Sequence, residues 1–579
     1  MSTSPKGSNT ETSSTSTQPP TRANADDIRP LYASLPHRHD NLYQYRQPEA
    51  HVDHLVIGGG IVGLATAVAL SKRWPEKTTV LVERNTQGGQ ETSSRGSKVV
   101  HGGIYYPPDS LKTRLCLRGK HLLYQYCEKN DLPIRRTGKL VVGPPTEEAK
   151  TYLTNLHEHA QKLRPLTPPT RILTGDEARQ REPSLSGEDR IGWALLSEST
   201  GIVGAADVIK HLQSEIDHSP AGELLLGSSV IRVDPHAQDA AGQSTSSPGG
   251  KRGADSSQAG WVVQTASTVV EPSTGLVSPP QAPSNGSKHR PGVTGSSESI
   301  LARVVINASG LSANQVLNSL VEDGILPGQD ADEGKGVPMY YAKGNYVRSE
   351  GSQELGIKHL IYPMPDMGQS GGKHAHQGLG THLTLDMAGN VVFGPDVEWI
   401  SPPEGVPTSG PQAATDFWSS YLHPSPNRLS DMHEAITSYL PSITEKSLKP
   451  AWAGIRPKLV GPGAKEFRDF EILWHGSRNL GEQKVWQRAL LDGFELGAEG
   501  QVKPRMPGGD DTTASSGGGG GAMISLLGIE SPGLTSSFAI AELVENLIAQ
   551  RVWGDHNHTK RRSSKGAQNE EIGNLDDWA

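Results

Sequence analysis

The chain is short of cysteine, of long apolar runs and of basic blocks, and each shortage closes off a class of protein. Cysteine occurs twice in 579 residues, at Cys116 and Cys127. Both fall in a stretch that reads as helix. A rise of about 1.5 Å per residue sets them roughly 16 Å apart, too far for a disulfide. No disulfide framework and no cysteine metal site follows, no metal is expected, and a reducing compartment suits the chain. No stretch approaches the ~20 apolar residues that a spanning helix needs. The longest apolar run, in 55–70, is interrupted by glycines. Any membrane contact is therefore expected to be peripheral, with no transmembrane segment. Lys+Arg 55 against Asp+Glu 63 gives a net charge of −8. The only basic cluster is a short "KRR" near the C-terminus, which argues against nucleic acid as a partner.

Hydrophobic residues make up only 34%, while glycine (66) and proline (42) are plentiful. The apolar deficit is local, so an ordinary core is diluted by polar insertions. Residues 1–48 are polar, Ser/Thr-rich and expected to be disordered. Their few acids give a weak transit-peptide signal, pointing to mitochondria, with the cytoplasm as the alternative. Residues 235–298 and 483–521 are low-complexity insertions, and 554–579 form a polar tail. The folded region is expected to span 49–553.

What is present is a nucleotide-binding signature. "HVDHLVIGGG" is a buried-strand pattern, "IVGLATAVALSKRW" has helical spacing, and "KTTVLVERN" is a second strand, which together make a βαβ unit. Gly58, Gly60 and Gly63 stand in G-x-G-x-x-G spacing at the strand–helix junction. The first permits a tight turn, the second admits a pyrophosphate and the third lets helix pack on strand. Glu83 ends the second strand 20 residues after Gly63, placed for ribose hydroxyls. A second strand and turn, "VVINASGLSA", follows roughly 250 residues later and contains Asn307 and Gly310. That late return to the sheet favours FAD over NAD. In "GIESPGLTSSFAIAELV", Gly533 precedes Thr535, Ser536 and Ser537, any of which could cap the closing helix. Such a helix start can aim its dipole at a reduced flavin. Residues 337–400 alternate apolar and polar residues as antiparallel sheet, with "AGN" as a hairpin turn.

With the insertions set aside, residues 52–547 resemble the FAD-dependent D-amino-acid-oxidase-like oxidoreductases, and among them the L-2-hydroxyglutarate dehydrogenases. The matching stretches are "VIGGGIVGLATA", "HGGIYYPPDSLKTRLC", "GKLVVGP", "YYAKGNY", "LIYPMP", "GTHLTLDMAGNVVFGPDVEW", "AGIRPKL", "FRDFEI" and "GIESPGLTSS". "SSRGSKVV", with Gly96, and "TGIVGAAD" depart from the family pattern. The resemblance implies an α/β fold, in which a Rossmann-like FAD-binding domain carries an inserted, mostly antiparallel β substrate domain. The FAD-binding parts are expected at about 52–130, 190–230, 299–320, 450–482 and 522–553. The substrate parts are expected at about 131–189 and 337–449. The resemblance further implies noncovalent FAD, oxidation of a small-molecule 2-hydroxy acid, onward electron transfer to an acceptor such as a quinone, and a mitochondrial location. An amino-acid or amine oxidase using oxygen is one alternative, and a non-catalytic flavin-binding protein is another.

Oxidising a 2-hydroxy acid requires C2 near the flavin, a base for the hydroxyl proton, and cations for the carboxylates. His101, between two apolar residues and two glycines, and His382, in "THLTLD", are the candidate bases. His374 and His376, in a Gly/Ser-rich insertion, read as solvated. Arg456 is the candidate carboxylate clamp, since arginine can bind bidentately. Lys343 is second, and Tyr105 is a candidate lining residue.

Overall fold

The computed structural model describes residues 27–36, 43–238, 255–270, 277–278, 297–326, 336–365, 381–410, 413, 415–464, 466–476, 494–497, 499–504 and 521–554. His374, His376, residues 555–579 and most of 1–48 and 483–521 lie outside them. The disorder expected for 1–48 does not hold at its described residues 27–36, where Leu31 bridges to Met339 and Leu31, Ala33 and Leu35 are buried.

The first apolar run forms strand β1 (Ala50–Ile57), which the glycines turn into helix α1 (Ile61–Arg73) and strand β2 (Thr79–Glu83). β1 pairs in parallel with β2 on one edge and with Ser297–Asn307 on the other. Ala522–Leu527 and Gly222–Leu226 extend the parallel sheet outward on the two sides. A parallel sheet covered on both faces needs apolar residues on both. Accordingly Val56, Leu81 and Ile306 pack on one side with α1 and the last helix (Gly533–Arg551), while Leu55, Val80 and Val305 pack on the other. Glu471–Gly476 and the hairpin Ser228–Gln238/Asp255–Ser267 complete this sheet in antiparallel sense.

A second, nine-stranded sheet carries the other half of the site. Tyr340–Ser349 pairs along its length with Leu448–Lys458, and Leu383–Leu385 with Val391–Phe393. Among the described residues of this sheet only Lys139–Gly143 and Leu360–Pro363 pair in parallel. The assignment of strands differs from the sequence reading at three places. Asp255–Ser267, inside the insertion expected at 235–298, is a strand of the first sheet with Trp261 buried in its core, and two further strands change part. Trp193–Ser197 joins Lys139–Gly143 and Thr170–Thr174 in the second sheet, although 190–230 was expected in the first. Leu448–Lys458 likewise belongs to the second sheet, although 450–482 was expected in the first. In both cases the pairing partner, not the local pattern, decides the sheet. Among the described residues no helix is long and apolar enough to cross a membrane. Cys116 and Cys127 are both buried free thiols.

Candidate active site

The turn after β1 is shaped by its glycines. Gly58 adopts φ +106°, and a Cβ there would meet Ala308 O at 2.6 Å. A Cβ on Gly63 would fall 1.9 Å from Gly58 O, so only glycine lets α1 pack onto the turn. Gly60 is the N-cap of α1 and offers no side chain of its own. Gly58, Gly60, Glu83, Ser309 and Gly310 line a cavity of about 390 Å³. Glu83 Oε2 accepts from Gly59 N at 2.6 Å, and Oε1 accepts from Asn85 N at 2.8 Å. Burial, with Glu91 adding to it, pushes the Glu83 carboxyl above its usual range despite those bonds. Asn307 does not line the cavity. Its side chain donates to Ala313 O and accepts from Ser309 Oγ, fixing the turn that does. A glycine cradle, a helix start whose Ile61 N–H donates to the neutral Ser93 Oγ at 3.0 Å and not to an acid, and an acid ending β2 fit the diphosphate and ribose of FAD. Gly63→Ala is expected to displace the turn and to weaken FAD binding by about tenfold or more, since overpacking costs about 1–3 kcal/mol. Flavin retained through ultrafiltration, compared with wild type, is the measurement.

From Glu83 the cavity runs to His101, Tyr105, Tyr346, Tyr362, His382 and Arg456. Strand β3 (Val99–Val100) delivers His101, and helix α2 (Leu111–Lys129) begins soon after. Thr535 Oγ1 joins this loop to the last helix, accepting from His101 N at 3.0 Å and donating to Val99 O at 3.2 Å. That duty replaces the capping role expected for Thr535, Ser536 or Ser537. The helix already begins at Gly533, after Pro532, so all three are interior to it. Ser537 Oγ donates to Leu534 O, and Ser536 Oγ is buried without a partner. Gly533 lines the cavity, whereas Thr535 and Ser536 do not.

His101 Nε2 lies 3.4 Å from Ser531 Oγ. Burial first, then the charges of Lys139 and Arg456, lower its pKa to about 3. His382 lies flat on Tyr362, with ring centroids 3.9 Å apart. Its Nδ1 is buried without a hydrogen-bond partner. Burial, Arg456, Lys139 and His101 hold its pKa well below the ordinary value. Both rings are thus neutral, the form that accepts a proton.

Strand alternation sets the cation. Ala453, Ile455 and Pro457 face inward to the core, so Gly454, Arg456 and Lys458 share the opposite face. Arg456 and Lys458 both line the cavity. Lys458 Nζ is committed to Glu530 at 2.9 Å. Arg456 faces the Tyr346 hydroxyl, and no carboxylate pairs with it among the described residues. Lys343 lies elsewhere, donating to Ser425 Oγ at 2.6 Å beside Glu398, and it does not line the cavity. Tyr105 does line it, with its hydroxyl buried and unpartnered. Sequence reasoning did not single out Tyr346, Tyr362, Lys458 or Glu530. Tyr362 sits in the quoted "LIYPMP", yet nothing local marks it as the platform for His382.

The FAD dependent oxidoreductase family, DAO, matches residues 53–547. The chain belongs to this family. Within this FAD dependent oxidoreductase family, it is 31% identical over 502 residues to the mitochondrial L-2-hydroxyglutarate dehydrogenase of Arabidopsis thaliana, covering 86% of this chain and 83% of that protein. It is 26% identical over 439 residues to the L-2-hydroxyglutarate dehydrogenase of Escherichia coli strain K12, covering 72% and 85%. The fold matches FAD-bound L-alpha-glycerophosphate oxidase from Mycoplasma pneumoniae with a TM-score of 0.55 at 17% identity, covering 86% and 94%. It matches L-proline dehydrogenase from P. horikoshii at 0.52 and 16%, covering 89% and 99%. The cofactor is FAD, and the chain is an oxidoreductase of a small molecule.

Proposed function

We propose that the chain oxidises L-2-hydroxyglutarate to 2-oxoglutarate. Bound FAD supplies the two-electron acceptor. Arg456 holds a substrate carboxylate, and one of the neutral histidines, His101 or His382, takes the hydroxyl proton. The O–H and C2–H bonds break as the carbonyl forms, so two electrons and one proton leave with the hydride and a second proton goes to the histidine. Tyr105 and Tyr362 wall the pocket and keep water from the reacting carbon. The observation that carries this reading is Arg456, a cation that lines the cavity beside two neutral histidines and has no carboxylate in ion-pair contact among the described residues. The names of the two dehydrogenase relatives supply the substrate. Electrons pass onward to an acceptor, for which we propose a quinone. We place the enzyme in mitochondria, as the names of its eukaryotic relatives state for them.

The test is anaerobic bleaching of the bound flavin by a panel of 2-hydroxy acids, each enantiomer separately. L-2-hydroxyglutarate is expected to bleach it and the D-enantiomer to leave it yellow. No bleaching by the L-enantiomer sinks the proposal. Peroxide released with amino acids instead would establish an oxidase.

A further inference from the structure

Lys139 opens the strand Lys139–Gly143, paired at that residue to Leu360 on one side and to Ser197 on the other. Its side chain is fully buried, and its Nζ has no hydrogen-bond partner among the described residues. Lysine is almost never buried in this way without a partner. An apolar residue would fill a strand start at less cost, because an ammonium out of water needs compensation. The compensation here is aromatic. Nζ lies 4.4 Å from the Tyr105 ring centroid and 4.7 Å from that of Tyr362. Cation–π attraction of this kind strengthens when the pair is desolvated.

Both rings line the cavity on the side where His382 stacks. The ionisable groups facing the amine are Cys116 from α2, His101 and Tyr105 from the loop before it, Tyr362 from the neighbouring strand, and His382 just before Leu383–Leu385. None is a carboxylate. Burial lowers the Lys139 pKa to about 7, with Cys116 acting in the opposite direction. A buried amine near neutrality responds to charge that arrives beside it. A dicarboxylate brings two negative charges, and Arg456 answers only one.

We propose that Lys139 is a positioning residue that takes up a proton when the substrate carboxylates enter, giving the site a second cation behind Tyr105 and Tyr362. The proposal rests on the dicarboxylate reading of the site. The proton comes from solvent and forms an N–H bond on Nζ, and no electrons move. Lys139 does not line the cavity and acts through the two tyrosine rings and the field it adds at His101 and His382.

The probe is 2-oxoglutarate, titrated calorimetrically into oxidised holoenzyme in buffers of different ionisation enthalpy. About one pH unit above the Lys139 pKa, wild type is expected to take up close to one proton per ligand bound. Lys139→Met is expected to take up none. Lys139→Arg, always charged, is expected to bind without uptake. Uptake by a histidine would instead fade as pH rises. Binding by wild type without proton uptake, or equal uptake in K139M, overturns the proposal alone. Failure of 2-oxoglutarate to bind wild type overturns the dicarboxylate reading and the proposal with it. A second measurement needs no ligand. Between about pH 7 and pH 10 the unfolded lysine holds a proton that the folded one has released, so wild-type stability rises with pH. Urea midpoints of wild type are expected to gain on those of K139M across that window, and parallel profiles would overturn the proposal.

Discussion

Arg456→Met is expected to cut kcat/KM for L-2-hydroxyglutarate by about 10²- to 10³-fold, the roughly 3–4 kcal/mol lost when one partner of a desolvated charge pair is removed. The neighbouring cation cannot take over. Lys458 Nζ is held 2.9 Å from Glu530, and Lys112 Nζ lies 3.1 Å from the same carboxylate. Burial opposes ionisation of Glu530, yet Lys112, then Lys458 and, least of the three, Arg456 bring its pKa down to about 2. That pair of lysines holds Glu530 in contact, whereas Arg456 acts on it only through its field and makes no ion pair among the described residues, so its guanidinium is left for substrate. Arg456→Lys should recover only part of the loss, because an ammonium cannot make the two parallel bonds of a guanidinium. Steady-state kinetics with an artificial electron acceptor gives the split. A rise in KM alone marks a group that binds ground and transition states equally, whereas a fall in kcat marks one that orients C2. An R456M enzyme with unchanged kcat/KM would remove Arg456 from the site.

The two halves of this site were not equally legible in the sequence. The nucleotide half is local. Gly58, Gly60, Gly63 and Glu83 lie within one βαβ unit, so their spacing alone carries the geometry that the structure repeats at φ +106° and at the Gly63–Gly58 contact. The substrate half is assembled from His101, Tyr362, His382 and Arg456, which strand pairing brings together across more than 350 residues. Their residue types could be read from the sequence, but their neighbours could not. Lys343 and Arg456 looked alike as cations in apolar strands. They are close in the sheet, with Ala342 paired to Arg456, yet adjacent residues of a strand face opposite sides. One turns to Ser425 and Glu398, and the other to the cavity. The loop "SKVVHGG" was visible as a carrier of His101, but its anchor, Thr535, lies 434 residues away. A hydroxyl that looked like a helix cap is the clamp on that loop. Only the start of the helix, fixed by Pro532 and Gly533, could separate the two roles.

His101→Gln and His382→Gln are expected to have unequal effects, and their pH profiles identify the base. Loss of a positioned general base costs about 10²–10⁴ in kcat. The other histidine, acting by orientation or field, should cost less. Burial and then Lys139 and Arg456 lower the His101 pKa to about 3, and His382 is held low by burial, Arg456, Lys139 and His101. In free enzyme either ring is therefore ready to accept a proton well below the ordinary histidine value of about 6.5. The acid limb of kcat/KM, which reports free enzyme, should lie far below that value. Bound carboxylates oppose the charges of Lys139 and Arg456, so the acid limb of kcat should lie higher than that of kcat/KM. Stability carries the same sign. A histidine with a lowered folded pKa leaves the unfolded chain holding more protons between about pH 3 and 6.5, so stability falls as pH falls through that window. H101Q should lose less stability than wild type on acidification. An acid limb of kcat/KM at the ordinary histidine value would sink the argument, because it would mean that neither buried ring is the base. If it stays low, the substitution that abolishes the acid limb of kcat, and not merely its amplitude, names the histidine that takes the proton.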